Sequence, residues 1–381
     1  METSDNRANL QRNTGFLIFL ISGICAISTG VVVTILQEAY GFAYGMTGTL
    51  LSLMSIGNLI SGFAAGVFPG KIGMKKTAGI LTAGYCVGYL LMGVTGALAV
   101  LVAAFFLVGV AKGTTINMCT ILVGNHSKNR TRGMNIMHGC YALGALLCPF
   151  LIAAALGAGQ WVPMYLLAAC GAGLWLLFLA VPMEEGGGKE KQKTDWSFLK
   201  NRKFWLLTGL IFCQNAAETS VTGWMVTYFK DSGIISGTLS TYTVTVMWGA
   251  TLIARMLIAF VLPLKDVYGA MIKMSLGCIL FYALLMTAGT QTMAIVLLFA
   301  FAFAMAGMNP TAVACAGRMT NVTTMGVMLP AASSGAIVMP WLIGIIAEHL
   351  GLTAGMASNV VPCAGMLLFS IAVKKLAQKE E

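Results

Sequence analysis

Apolar residues run along this chain in twelve long blocks separated by short polar stretches. The blocks lie at 15–37, 44–69, 77–95, 98–124, 133–156, 160–182, 204–228, 237–263, 268–288, 291–317, 323–346 and 353–374. Each holds 19 to 27 residues, and about 20 helical residues cross the roughly 30 Å hydrocarbon core of a bilayer. Lipid offers no partner to backbone polar groups, so each block is predicted to be a transmembrane helix. The longest polar stretch, 183–203, follows the sixth block. Its Glu184-Glu185-Gly186-Gly187-Gly188 run and Lys-rich remainder read as a solvated linker. The pattern thus predicts an all-α integral membrane protein of twelve helices in two pseudo-symmetric six-helix bundles, 1–182 and 204–381.

The two halves echo one another. Gly144-Ala145-Leu146-Leu147-Cys148-Pro149-Phe150-Leu151-Ile152 returns 191 residues later as Gly335-Ala336-Ile337-Val338-Met339-Pro340-Trp341-Leu342-Ile343, with five of nine positions identical. Pro69-Gly70-Lys71 returns as Pro263-Leu264-Lys265 after 194 residues. In this register each helix matches the one six places later. Pro69 and Pro263 are expected to end spans two and eight, and Pro149 and Pro340 to bend spans five and eleven alike. Duplicated halves in an apolar chain are a mark of transporters whose site lies at the pseudo-symmetry axis.

Composition agrees with a membrane location. Hydrophobic residues make up 58% of the chain and charged residues 9%, against about 25% charged in a soluble domain. The net charge of +10 is explained by its distribution. With the N-terminus in the cytoplasm, inner segments hold nineteen of the 23 Lys and Arg residues, Lys273 near an inner helix end adds another, and outer loops hold only Lys230. The positive-inside rule places both termini in the cytoplasm, and the charge faces anionic lipid rather than nucleic acid. The ten Cys lie in apolar stretches without metal-ligand spacing, and the 25 Met residues are dispersed; both read as packing. No phosphate-binding loop or catalytic motif is present, so neither an enzyme nor a cofactor or metal is expected.

Few polar side chains interrupt the spans. Glu218 is the only carboxylate well inside one. A charge at mid-membrane is costly and usually serves a pathway. Gln214, Asn215, Glu218 and Thr222 fall within an arc of about 100° on one helix face. That stripe is expected to bind solute, with Glu218 also carrying a proton; a structural ion pair is the competing reading. Lys112 lies within Gly109-Val110-Ala111-Lys112-Gly113, a small-xxx-small pattern, and shares a face with Asn117 and Thr120. It would bind an anionic solute or pair with Glu218, or else snorkel to the interface. His138 offers a proton relay or a structural imidazole. Arg255 offers a gate contact or a snorkelling cation. Pro310 removes a backbone donor and frees a carbonyl one turn earlier, so Asn309 could meet solute there. Trp224, Tyr228, Tyr242 and Trp248 would stack on a sugar ring or simply pack.

The segment Gly66-Val67-Phe68-Pro69-Gly70-Lys71-Ile72-Gly73-Met74-Lys75-Lys76 resembles the loop motif between helices two and three of the major facilitator superfamily. Gly66, Lys71, Gly73, Lys75 and Lys76 match it, whereas Gly70 stands where the family has an Asp. Asn117, the Asn135-Ile136-Met137-His138 run, Glu218 with Trp224 and Tyr228, and Gly307-Met308-Asn309-Pro310 resemble its fucose-permease-like branch. The resemblance implies alternating access, a cavity lined by helices one, four, seven and ten, gating at the loop motif, and frequent proton symport of sugars. The expected function is a monomeric secondary transporter in the cytoplasmic membrane, moving a small polar solute, a sugar or sugar derivative, with protons. The alternative is an organic-anion symporter or exchanger that uses Lys112. A nutrient sensor is disfavoured by the short linker and tail.

Overall fold

The computed structural model describes residues 2–127, 130–183, 197–235, 237–261, 264, 266–317 and 322–380. Among the described residues, helices occupy all twelve predicted blocks. The first, α1, runs Glu2–Ile27 and continues as Thr29–Tyr40; α2 is Tyr44–Val67; α3 joins Met74–Thr82 to Gly84–Val94. Then follow α4 (Leu98–His126), α5 (Arg130–Leu156), α6 (Val162–Ala180), α7 (Arg202–Asp231), α8 (Thr243–Phe260) and α9 (Val267–Leu285). In α10, Gln291–Met305 breaks before Met308–Gly317; α11 joins Val322–Ser333 to Gly335–Leu350, and α12 joins Leu352–Ala357 to Val360–Glu380. Among the described residues, ten of these are long and apolar enough to cross a membrane by length and composition. The other two, α2 and α7, are helices of 24 and 30 residues, and in α7 the apolar character is thinned by Gln214, Asn215 and Glu218. Strongly exposed Val94, Val361 and Leu368 suit a lipid-facing surface.

Three boundaries differ from expectation. The first helix begins at Glu2 rather than near residue 15, because extending a formed helix into a polar flank costs little once the nucleus exists. Pro69 opens a short helix, Pro69–Ile72, and Gly73 follows with φ +86°, a conformation that favours glycine. Pro263 and most of the 183–203 linker lie outside the described residues. The third difference concerns the two units into which the chain gathers, Met1–Phe42 with Leu53–Glu190, and Ala43–Ser52 with Lys191–Glu381. Residues 43–52 thus gather with the second unit. There the Tyr44 hydroxyl donates to the Asp231 carboxylate. The Gly45 N–H donates to the Glu348 carboxylate at 3.1 Å and the Ser52 hydroxyl to the Ile337 carbonyl at 2.7 Å.

Glycines set the closest helix contacts. In the first unit a Cβ on Gly144 would lie 2.0 Å from the Leu20 carbonyl oxygen, and one on Gly23 2.2 Å from that of Tyr141, so α1 and α5 meet backbone to backbone. In the second unit a Cβ on Gly335 would lie 2.1 Å from the Phe212 carbonyl oxygen. The nine-residue repeat therefore begins, in both halves, on the glycine that lets α5 meet α1 and α11 meet α7. Gly109 approaches Met54 and Gly113 approaches Asn58 just as closely, which is the physical content of the small-xxx-small pattern on α4. Pro149 and Pro340 both sit inside their helices and are buried.

Several buried hydroxyls in each unit find internal partners, as hydrocarbon surroundings favour. In the first unit the Tyr85 and Tyr89 hydroxyls meet those of Ser22 and Ser28 at 3.1 and 2.8 Å. In the second the Tyr282 hydroxyl donates to the Met356 carbonyl at 2.7 Å. At the start of α9, Asp266 accepts from the Gly269 N–H at 2.8 Å and from Lys374 of α12 at 3.2 Å. The Gly269 bond foremost, and then Lys374, hold its carboxyl below the ordinary value of 3.8.

Candidate functional site

Four polar side chains marked from sequence lie in one hydrogen-bonded group within the second unit. Helical spacing puts Gln214, Asn215 and Glu218 on a single face of α7. Gln214, 1% exposed, donates through Nε2 to the Glu218 carboxylate. Asn309, from the lower segment of α10, donates through Nδ2 to Gln214 Oε1 at 2.8 Å and to Asn215 Oδ1 at 3.5 Å. Asn215 donates in turn to the Ala332 carbonyl of α11 at 3.2 Å. Three amides and one carboxylate from α7 and α10 thus form a chain of donors and acceptors anchored on α11. Glu218, Asn215 and Asn309 are each partly exposed. Such a group can offer both donors and acceptors to a polyhydroxylated solute, and a carboxylate that can gain or lose a proton.

The break in α10 puts Asn309 in reach. The upper segment closes with the Ala306 N–H on the Ala302 carbonyl at 3.0 Å, and the ladder resumes with the Thr311 N–H on the Gly307 carbonyl at 3.2 Å. Pro310 lacks an N–H, so the rung that would end on the Ala306 carbonyl cannot form. A Cβ on Gly307 would lie 2.6 Å from the terminal methyls of Ile258 on α8 and Met274 on α9, so both side chains reach the α10 backbone there. Arg255 of α8 donates through Nε to the Ala306 carbonyl at 3.3 Å.

The remaining marked residues are placed differently. Thr222 shares the α7 stripe, yet its hydroxyl donates to the Glu218 carbonyl at 2.9 Å and touches Met247 Sδ of α8 at 3.5 Å. Trp224 is 0% exposed and donates through Nε1 to the Pro340 carbonyl at 3.0 Å. An indole so enclosed packs α7 on α11 and has no face to offer a sugar ring. Lys112 and Asn117 lie in the first unit, on α4. Lys112 is half-buried, and Asn117 donates to the Gly113 carbonyl of its own helix at 2.9 Å. His138 is exposed on α5, edge-on to Phe19 with ring centroids 5.5 Å apart. Gly66 falls in the last turn of α2, Lys71 and Lys75 are exposed, and Gly73 supplies the positive-φ turn between them. Among the described residues no cluster of three or more His, Cys, Asp or Glu could hold a metal ion, and the ten cysteines are free thiols.

Two participants escape a reading of single residues, the Ala332 carbonyl that anchors Asn215 and the Ala306 carbonyl that receives Arg255. For the first, the matching contacts of Gly144 on Leu20 and Gly335 on Phe212 align the two halves. Gly23 and Tyr141 in the first half correspond to Asn215 and Ala332 in the second, and in both halves the residue on the odd-numbered helix meets the same carbonyl.

Comparison with known proteins bears on what this arrangement serves. Residues 15–329 match a family model described as Major Facilitator Superfamily. Protein TsgA of Escherichia coli O157:H7 is 23% identical over 380 residues, covering 93% of this chain and 92% of its own. The fold is shared with a crystal structure of the nucleoside transporter NupG, at TM-score 0.74 and 15% identity, covering 97% of this chain and 98% of that one. It is also shared with a bacterial homologue of the human lysosomal transporter Spinster, solved inward-facing and unoccupied, at TM-score 0.80 and 12% identity, covering 98% of each chain.

Proposed function

Because this chain belongs to the major facilitator superfamily, we propose that it moves a small polar solute by alternating access, coupled to protons, with Gln214, Asn215, Glu218 and Asn309 as the solute site. It is a multi-pass membrane transporter; the cytoplasmic membrane as its location, cytoplasmic termini and action as a monomer belong to the proposal. The observation that carries the reading is the hydrogen-bonded chain in which Gln214 bonds the Glu218 carboxylate and Asn309 links Gln214 to Asn215. Amides paired with a carboxylate suit neutral solutes rich in hydroxyls, because each hydroxyl both donates and accepts. A sugar or sugar derivative fits that chemistry, and the shared fold with a nucleoside transporter puts nucleosides in the first screen. Glu218 is the proton carrier, and its bond from Gln214 links its charge state to the amides. Trp224 has no part in binding. Lys71, Gly73 and Lys75 keep the gating role that the loop motif implies.

A second reading rests on Lys112. A half-buried cation on the tightly packed face of α4 would suit an organic anion, with exchange or symport of that anion as the activity.

The test is uptake by proteoliposomes screened against sugars, nucleosides and organic anions. For the solute found, Glu218→Gln is expected to abolish uphill uptake driven by a pH gradient while sparing counterflow. Uphill uptake that survives the substitution rules out the proton role. Anion-only uptake lost in Lys112→Ala selects the second reading.

A further inference from the structure

We propose that Arg255 is a positioning residue that caps the carbonyl orphaned by Pro310 and thereby holds the α10 break that aims Asn309 at Gln214 and Asn215. Pro310 lies in the first turn after the break and leaves the Ala306 carbonyl without its helical donor. The Ala306 N–H bonds the Ala302 carbonyl, and the Thr311 N–H bonds the Gly307 carbonyl. The orphaned group is the Ala306 carbonyl, on a residue only 5% exposed. An unpaired carbonyl inside a membrane protein must find a neighbour or water. The neighbour is Arg255 Nε, 3.3 Å away on α8. An arginine suits this task because its charge persists at all working pH values and its planar fork donates in fixed directions. Gly307, the next residue, admits α8 and α9 to within contact of the α10 backbone. The guanidinium therefore reaches a carbonyl three residues before Asn309, whose amide bonds both Gln214 and Asn215. Bonding to a helix backbone in the interior of the second unit also assigns Arg255 a place other than the snorkelling or gating positions expected for it.

The link to Asn309 rests on the proposed solute site, but the capping claim does not, and its tests need no solute. The first is a double-mutant cycle on the purified full-length protein in lipid nanodiscs, read as Tm. Arg255→Met is expected to lower Tm by several degrees in the presence of Pro310. It should change Tm little in Pro310→Ala, where the restored N–H can bond the Ala306 carbonyl. Equal losses in the two backgrounds, or no loss in either, would overturn the proposal. The second test reads position 309 directly, as the rate at which N-ethylmaleimide alkylates Asn309→Cys, followed by mass spectrometry of that peptide. With the carbonyl uncapped, water enters the break. Arg255→Met is therefore expected to raise the rate at least threefold, and Arg255→Lys, which keeps a donor, to restore it in large part. A rate indifferent to residue 255 refutes the positioning role. A failed screen for solute with a positive cycle would sink the assignment of the site and leave the cap standing.

Discussion

Asn215 stands where the first half of the chain has Gly23, and the difference between them locates the chemistry. In the first unit the α1 position must be glycine, because a Cβ would lie 2.2 Å from the Tyr141 carbonyl oxygen. In the second the corresponding α7 position carries an amide that bonds the corresponding carbonyl, Ala332, at 3.2 Å. A contact made by close packing in one half is made by a hydrogen bond in the other, and the freed geometry lets Asn215 also accept from Asn309. Asn215→Ala is therefore expected to cost about 1 kcal/mol of stability, the usual net worth of a hydrogen bond. It should also weaken solute binding, checked by unfolding of the purified variant and by counterflow kinetics. The α7 stripe was legible in sequence because its members share one helix, where spacing alone fixes the face. Sequence left Trp224 between stacking and packing because its partner, the Pro340 carbonyl, is 116 positions away. Pro310 announced a freed carbonyl, but nothing local could say that Arg255, 51 positions earlier, would fill it.

Among the helices, the repeat turns on two glycines. Gly144 and Gly335 occupy matching contacts of α5 on α1 and α11 on α7, with forbidden Cβ positions 2.0 and 2.1 Å from a carbonyl oxygen. Gly144→Ala and Gly335→Ala are each expected to destabilise by roughly 1–3 kcal/mol through overpacking. Gly139→Ala and Gly173→Ala meet nothing within 4 Å and are expected to be neutral or stabilising by up to about 1 kcal/mol, because alanine is the better helix former. Thermal unfolding of the four variants side by side checks this. The cap of α9 gives a pH signature. Folding lowers the Asp266 carboxyl below 3.8, so its ionised form adds stability above that value, and the gain is lost as pH falls through the lower folded value. The gap in Tm between wild type and Asp266→Asn is expected to hold from neutral pH down to about 4 and to close below 3.8. The pair with Lys374 is exposed, so the gap is small. Helix existence was legible from the apolar blocks. The breaks in α11 and α12, at Ser334 and at Ser358-Asn359, were not, because small polar residues also occur inside unbroken helices.

Across the whole molecule, the sequence pattern and the family agree on twelve helices, and the proposal of cytoplasmic termini rests on the charge distribution. Reporter fusions at residues 1 and 381 are expected to be active only as cytoplasmic fusions. The contact pattern departs from the halves that the sequence suggests at residues 43–52, which gather with the second unit through Gly48, Gly344 and Glu348. Contacts of that kind involve small residues and backbone atoms, and apolar periodicity carries no record of them. What distinguishes the second unit is that its α7 and α10 side chains join in one polar group around Glu218. The claim that this group binds the solute and moves the proton is tested most directly by solute-driven proton movement. Wild-type proteoliposomes loaded with a pH-sensitive dye should change internal pH when the identified solute is added outside, and Glu218→Gln vesicles that still exchange the solute should show no change. A proton signal of wild-type size from Glu218→Gln vesicles would contradict the account.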